Sequence, residues 1–158
     1  MTKVLFVCMG NICRSPMAEG AFAKALDNYD SDISASFTLA SAGTIGYHVG
    51  NPPDPRAIEV AKRRGIDISA QRSRKVSATD FDTFDYIMAM DKENLSDLIS
   101  SSPTHSKAEI ALFLDYAKGA STQEVPDPYY GGDAGFDHCL DLIEDAAEGL
   151  LEHLLNKA

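Results

Sequence analysis

Apolar residues along this chain fall into short continuous runs that alternate with stripes at helical spacing. Val4-Leu5-Phe6-Val7 is one such run, rich in β-branched residues and ended by Gly10, the pattern of a strand buried on both faces of a parallel sheet. Beyond a short loop, Pro16-Met17-Ala18-Glu19 sets a proline in a first turn, and Ala21, Phe22, Ala25 and Leu26 continue at helical spacing. A second strand is expected over Phe37–Ala42, closed by Gly43. A Gly- and Pro-rich loop from Gly46 to Pro53 leads into Asp54-Pro55-Arg56, a cap followed by proline, and Ile58, Val60 and Ala61 carry that helix to Gly65. Tyr86–Met90 reads as a third strand, Asp91 caps a short helix over Lys92–Ile99, and Ile110–Leu114 reads as a fourth strand. Leu140, Ile143, Ala147, Leu150, Leu151 and Leu154 mark a long amphipathic helix over Phe136–Leu155.

Strands alternating with helices require crossover connections, hence a parallel sheet. The expected fold is a three-layer α/β sandwich of the Rossmann or flavodoxin type, with a central four-stranded parallel sheet and helices on both faces. Ligands in such sheets bind beyond the carboxyl ends of the strands. No repeat, linker or shift in composition divides the chain, so residues 1–158 are read as one domain and Ser100-Ser101-Ser102-Pro103 as a loop.

Composition narrows the picture. At 158 residues, 44% hydrophobic and 24% charged, the chain can bury one substantial core without disulfide staples. Fourteen Lys and Arg stand against 24 Asp and Glu, a net charge of -10, which excludes general affinity for nucleic acid or an anionic membrane. Any phosphate site must then be locally basic. Cys8, Cys13 and Cys139 are too few for a secreted disulfide framework, and the first apolar run is far shorter than a signal-peptide core or a membrane span. A cytoplasmic protein is expected.

The chemistry concentrates in Cys8-Met9-Gly10-Asn11-Ile12-Cys13-Arg14-Ser15, between a strand end and a helix start. Successive backbone N–H groups of such a loop can wrap an oxyanion, and the helix N-terminus adds its positive dipole end. Gly10 permits close approach and a positive φ, and Asn11 best tolerates a left-handed conformation among non-glycine residues. Arg14 offers a planar fork that matches a tetrahedral phosphate. The same positive field favours a thiolate at Cys8, a nucleophile aimed at a bound phosphorus, and the Ser15 hydroxyl can donate to it. Cys alone at a strand end reads as a small hydrophobe, and Arg alone at a helix start as a solvated cation. Their joint spacing carries the inference. The loop lacks the Gly-Lys-Ser/Thr of a Walker A motif and the three glycines of a dinucleotide fingerprint.

With these residues in place, the sequence resembles the low-molecular-weight protein tyrosine phosphatases, whose signature is Cys-x5-Arg-Ser near the N-terminus. The resemblance extends through Ser41-Ala42-Gly43-Thr44, Gly50-Asn51-Pro52-Pro53-Asp54, Met90-Asp91 and Asp127-Pro128-Tyr129-Tyr130, so it spans essentially the whole chain. It implies the phosphotyrosine phosphatase I-like variant of the fold. The implied activity is hydrolysis of phosphotyrosine and small aryl phosphates through a cysteinyl-phosphate, with no metal or other cofactor. Its implied partners are phosphotyrosine proteins or peptides, with no nucleic acid or membrane, and a monomer or at most a weak dimer.

The resemblance also implies roles for individual residues. Asp127, between Pro126 and Pro128, reads from its neighbours alone as a turn; as part of the family's Asp-Pro motif it is the general acid that protonates the leaving oxygen and then activates water. Met9, Gly10, Asn11, Ile12, Cys13 and Ser15 surround the phosphate. Tyr47, Tyr129 and Tyr130 wall the entrance for a phenyl ring, and Ile12 makes an apolar contact where the related arginine phosphatases carry Thr. Ser41, Gln71 and Asp91 support the loop, Gln71 standing where the family usually has His; Asp91 also reads as a plain helix cap. Cys13 would trap oxidised Cys8 as a reversible disulfide or is simply buried. Arsenate reductases share a similar fold and loop, but they need cysteines near the middle of the chain, and none lies between Cys13 and Cys139.

Overall fold

The computed structural model describes residues 1–157. Four strands, Thr2–Cys8 (β1), Phe37–Gly43 (β2), Tyr86–Ala89 (β3) and Glu109–Leu112 (β4), form one sheet in the order β2-β1-β3-β4. Every neighbouring pair is parallel, with Val7 opposite Ala42 on one side and Ala89 on the other. The helices are Arg14–Leu26 (α1), Ser31–Ala35 (α2), Pro55–Arg63 (α3), Asp80–Thr83 (α4), Lys92–Ser101 (α5) and Gly132–Lys157 (α6). This is the flavodoxin-like α/β arrangement expected from the sequence.

The alternation of β1 divides the core in two. Val4, Phe6 and Cys8 point to the face covered by α1, α3 and α6, while Leu5 and Val7 pack with Phe81, Phe84, Ile87 and Leu98 on the other face. Both sets are nearly inaccessible, which is why the strand tolerates no polar residue in its middle. Phe6 anchors the larger cluster, its ring 5.8 Å from Phe22 and 5.2 Å, edge-on, from Phe113. Each fully buried ring of this kind contributes on the order of 2 kcal/mol. Chain order runs from β1 outward to β2 and then across to β3, so the strand order reverses at β1 and its carboxyl end opens into a crevice.

Two helices and two boundaries differ from the sequence reading. Helices α2 and α4 were not foreseen: α2 buries no residue and α4 is a single turn, so neither shows an apolar stripe. Strand β4 stops at Leu112, and Phe113–Tyr116 turns as a 3-10 segment that still buries Phe113 and Leu114. Helix α6 begins at Gly132, four residues before the first apolar position, Phe136.

Candidate active site

The carboxyl end of β1 delivers Cys8 to the bottom of a cavity of about 250 Å³. It is lined by Cys8, Met9, Gly10, Ile12, Cys13, Arg14, Tyr47, His48, Asp127, Tyr129 and Tyr130. Thus the sequence-predicted nucleophile, phosphate-binding arginine, acid and aromatic rim, contributed by three separate loops, share one pocket. The Met9–Cys13 turn is held at both flanks. Thr44 and Ile45, just past β2, donate their N–H groups to the carbonyls of Cys8 (3.0 Å) and Met9 (3.1 Å), and Asp54 donates to the Ile12 carbonyl (2.8 Å). Gly43 is needed for this close approach, since a Cβ there would lie 2.7 Å from the Met9 carbonyl oxygen.

The left-handed residue is Asn11, at φ 57°, the one non-glycine residue with positive φ among those described. Gly10, whose type also permits a positive φ, does not take one. Its hydrogen instead makes room for His48, whose Cδ2 would be 3.1 Å from an added Cβ. With the chain reversed at Asn11, the N–H groups of Met9, Gly10, Ile12 and Cys13 find no acceptor among the described residues, the concave array of donors that suits an oxyanion.

Polar side chains behind the loop form a directed network. Asn11 Nδ2 donates to Ser15 Oγ (2.7 Å) and to Ser41 Oγ (2.9 Å), and Asn11 Oδ1 accepts from the Arg74 N–H (3.0 Å). Cys8 Sγ lies 3.0 Å from Ser15 Oγ, a contact in which either group can donate, and Ser15 Oγ also donates to the Ala42 carbonyl (3.5 Å). The Asn11 N–H also donates to Sγ (3.2 Å). Gln71 closes the far end, accepting from Ser41 at Oε1 (3.3 Å) and donating from Nε2 to the Pro16 carbonyl (3.0 Å). The Ser15 hydroxyl and the Asn11 N–H are thus the two groups in hydrogen-bond contact with Cys8 Sγ.

Arg14 is buried and oriented from one side. Its Nη1 donates to Asp91 Oδ2 (2.6 Å) and to the Val125 carbonyl (3.1 Å), while Nε and Nη2 make no hydrogen bond among the described residues. Burial works against its charge, yet Cys8, Asp91 and Asp127 together hold the guanidinium above its ordinary range. Asp91 does both jobs weighed in the sequence: Oδ1 caps α5 through the Asn94 N–H (2.8 Å) and Oδ2 holds Arg14.

Asp127 lies exposed at the cavity edge, its Oδ1 accepting from the Tyr129 N–H (3.1 Å). The Val125 N–H pins the start of this loop to the Met90 carbonyl (2.8 Å) at the end of β3. Tyr47 and Tyr130 are 82% and 94% exposed, a rim free to meet a partner, and Met9 is exposed beside them. Cys13 is buried; its thiol is pushed up by desolvation first and then by Asp54, Cys8 and Asp127, which keeps it protonated. Cys139, wholly buried on α6, is raised to about 12 by the same burial. Among the described residues no cluster of His, Cys, Asp and Glu could hold a metal ion.

The sequence reading missed three groups. His48 lines the pocket, and its pairing with Tyr47 (4.8 Å between ring centroids) in a glycine-rich loop was the available signal. Glu19 on α1 reaches the vicinity of Ser41; burial raises its carboxyl above the usual range, opposed by Ser41 and Arg74. Arg56 bridges two loops of the site.

The family described as low molecular weight phosphotyrosine protein phosphatase matches residues 3–158. The low molecular weight phosphotyrosine protein phosphatase of Schizosaccharomyces pombe is 45% identical over 98% of this chain and 99% of its own. The Homo sapiens protein of the same name is 46% identical over 85% of this chain and 84% of its own. A crystal structure of a protein tyrosine phosphatase from Entamoeba histolytica, with Hepes in its active site, superimposes with a TM-score of 0.94 at 42% identity, covering 99% of each chain. The chain belongs to the low molecular weight phosphotyrosine protein phosphatase family.

Proposed function

We propose that this protein, as a single phosphatase domain spanning residues 1–158, hydrolyses phosphotyrosine in proteins and peptides by double displacement. The observation that carries the reading is Cys8 Sγ at the floor of the cavity, in contact with the Ser15 hydroxyl and the Asn11 N–H and ringed by uncommitted N–H groups. A phosphoryl group seated there is bound by the loop amides and by Nε and Nη2 of Arg14, with phosphorus facing sulfur. Cys8 attacks, the bond from phosphorus to the phenolic oxygen breaks, and Asp127 gives that oxygen its proton. Asp127, now ionised, takes a proton from water as the water attacks the cysteinyl-phosphate. Phosphate leaves and the Ser15 hydroxyl stabilises the departing sulfur. Charge on the transferred group is spread over its equatorial oxygens, so positioning and electrostatics supply most of the rate.

The rim selects the substrate. Cys8 is buried, so a phosphate must stand on a long, flat arm to reach it, and Ile12, Tyr47 and Tyr129 offer apolar faces for a phenyl ring. Tyr130 extends that surface toward flanking residues. We further propose that Cys13 condenses with a peroxide-oxidised Cys8 sulfenic acid, releasing water and forming a disulfide that a thiol reductant reopens. The three unpaired, buried cysteines suit a reducing compartment, and a cytoplasmic location is part of the proposal. The test is turnover of matched phosphotyrosine, phosphoserine and phosphoarginine peptides. The phosphotyrosine peptide is expected to lead in kcat/KM by about 100-fold or more, and equal rates on all three would refute the reading.

A further inference from the structure

Arg56, in the first turn of α3, is gripped from two directions. Its Nε and Nη2 pair with the two oxygens of Asp54 (3.1 and 2.9 Å), and the Asp54 N–H is bonded to the Ile12 carbonyl of the phosphate loop. Its Nη1 donates to the Tyr129 carbonyl (2.8 Å), and its guanidinium lies over the rings of Tyr129 (5.1 Å) and Phe136 (4.8 Å). The Tyr129 N–H then donates to Asp127 Oδ1, while Oδ2 makes no hydrogen bond among the described residues. A continuous line of contacts thus runs from the phosphate loop through Asp54, Arg56 and Tyr129 to the carboxyl of Asp127.

We infer that Arg56 is a positioning residue for the reaction: it fixes the acid loop over the phosphate loop and turns the free oxygen of Asp127 toward the departing phenolic oxygen. The inference rests on the reading of Asp127 as general acid. The chemistry of the side chain supports it, because the line requires a carboxylate held bidentately and a carbonyl held on a third nitrogen at once. A guanidinium fork does this, and the single ammonium of Lys cannot hold that geometry. The Arg56 side chain is 37% exposed while that of Asp54 is buried, so a surface guanidinium is held in one orientation by a fixed carboxylate.

Single-turnover release of the phenol from p-nitrophenyl phosphate, whose leaving group needs little protonation, and from phenyl phosphate, whose leaving group needs it, separates the roles. Parent, Arg56→Lys, Arg56→Ala, Asp127→Asn and the double variant Arg56→Ala/Asp127→Asn are compared, with inorganic phosphate inhibition as a measure of the phosphate loop. Arg56→Ala is expected to slow phenyl phosphate by about tenfold more than p-nitrophenyl phosphate, a fraction of what general acid catalysis supplies. Its phosphate inhibition stays within about twofold of parent, and the double variant is no slower than Asp127→Asn alone, because groups acting through one another are non-additive. Arg56→Lys carries the same comparison if Arg56→Ala fails to fold. Equal slowing on both substrates, weakened phosphate inhibition, or losses that multiply in the double variant would overturn the inference while Asp127 keeps its role. An Asp127→Asn protein as fast as parent on phenyl phosphate would instead overturn the general acid itself, and the positioning role with it.

Discussion

Asn11 donates its side-chain amide to Ser15 Oγ at 2.7 Å while its own backbone sits in the left-handed region at φ 57°. Conformation and hydrogen bonding are thus supplied by one residue, and the two can be separated. Asn11→Gly keeps the backbone shape and loses the amide; Asn11→Ala loses both. Each leaves Ser15 and Ser41 without a buried donor, costing about 1–3 kcal/mol of stability, and the alanine adds roughly 1 kcal/mol of left-handed strain. Urea denaturation is expected to rank parent, glycine, alanine in falling order, and an alanine variant as stable as the glycine one would show that the backbone is not strained there.

Gln71 hydrogen-bonds to Ser41 and to the Pro16 carbonyl and cannot change its charge. The support behind the phosphate loop is therefore insensitive to pH at this position. Gln71→His introduces a group that titrates near neutrality, and its kcat/KM profile is expected to gain an inflection between about pH 6 and 8 that the parent lacks. Superimposable profiles would mean that residue 71 does not communicate with Cys8.

Glu19 makes the opposite point about charge. Burial holds its carboxyl above the usual range, so the folded protein prefers it neutral. A group raised in the folded state contributes its stability below the unfolded value, about pH 4.3 for Glu, and loses it as pH rises through the folded value. Glu19→Gln is expected to raise the melting temperature at pH 7 and to leave it unchanged near pH 4. A lower melting temperature at pH 7 would show that the ionised carboxylate is needed.

Close packing beneath α6 is as demanding. A Cβ on Gly149 of α6 would lie 1.7 Å from the Tyr116 carbonyl oxygen, and backbone on both sides leaves nothing flexible to yield. Gly149→Ala is expected to destabilise the fold by about 3 kcal/mol, in the range of overpacked cores, despite the better helix propensity of alanine. Calorimetry showing a stabilised protein would contradict the packing of α6 on the Phe113–Tyr116 turn.

What the sequence disclosed follows from how local each feature is. The β1, phosphate loop and α1 unit is contiguous, so an apolar run, a Gly-Asn turn and a helical stripe were enough to identify it. The roles of Ser41, Gln71 and Asp91 came with the family resemblance and depend on contacts that periodicity does not encode. Arg56 and Tyr129 are 73 positions apart, and nothing in either segment announces the other. Helix α2 escaped because it buries no residue, and α4 because a single turn, though it buries Phe81, is too short to show a stripe. Residue type allowed a left-handed conformation at both Gly10 and Asn11; the turn places it at Asn11 and uses the missing side chain of Gly10 as space for His48.

The central claim is that sulfur attacks phosphorus. Mixing the protein with phosphotyrosine, quenching in acid within a turnover and mapping the peptides by mass spectrometry tests it directly. The expected result is one phosphoryl group on the peptide that carries Cys8, absent from a Cys8→Ser protein that still binds the substrate but does not turn it over. Steady hydrolysis by Cys8→Ser at the parent rate, with no phosphorylated peptide in either protein, would contradict the account.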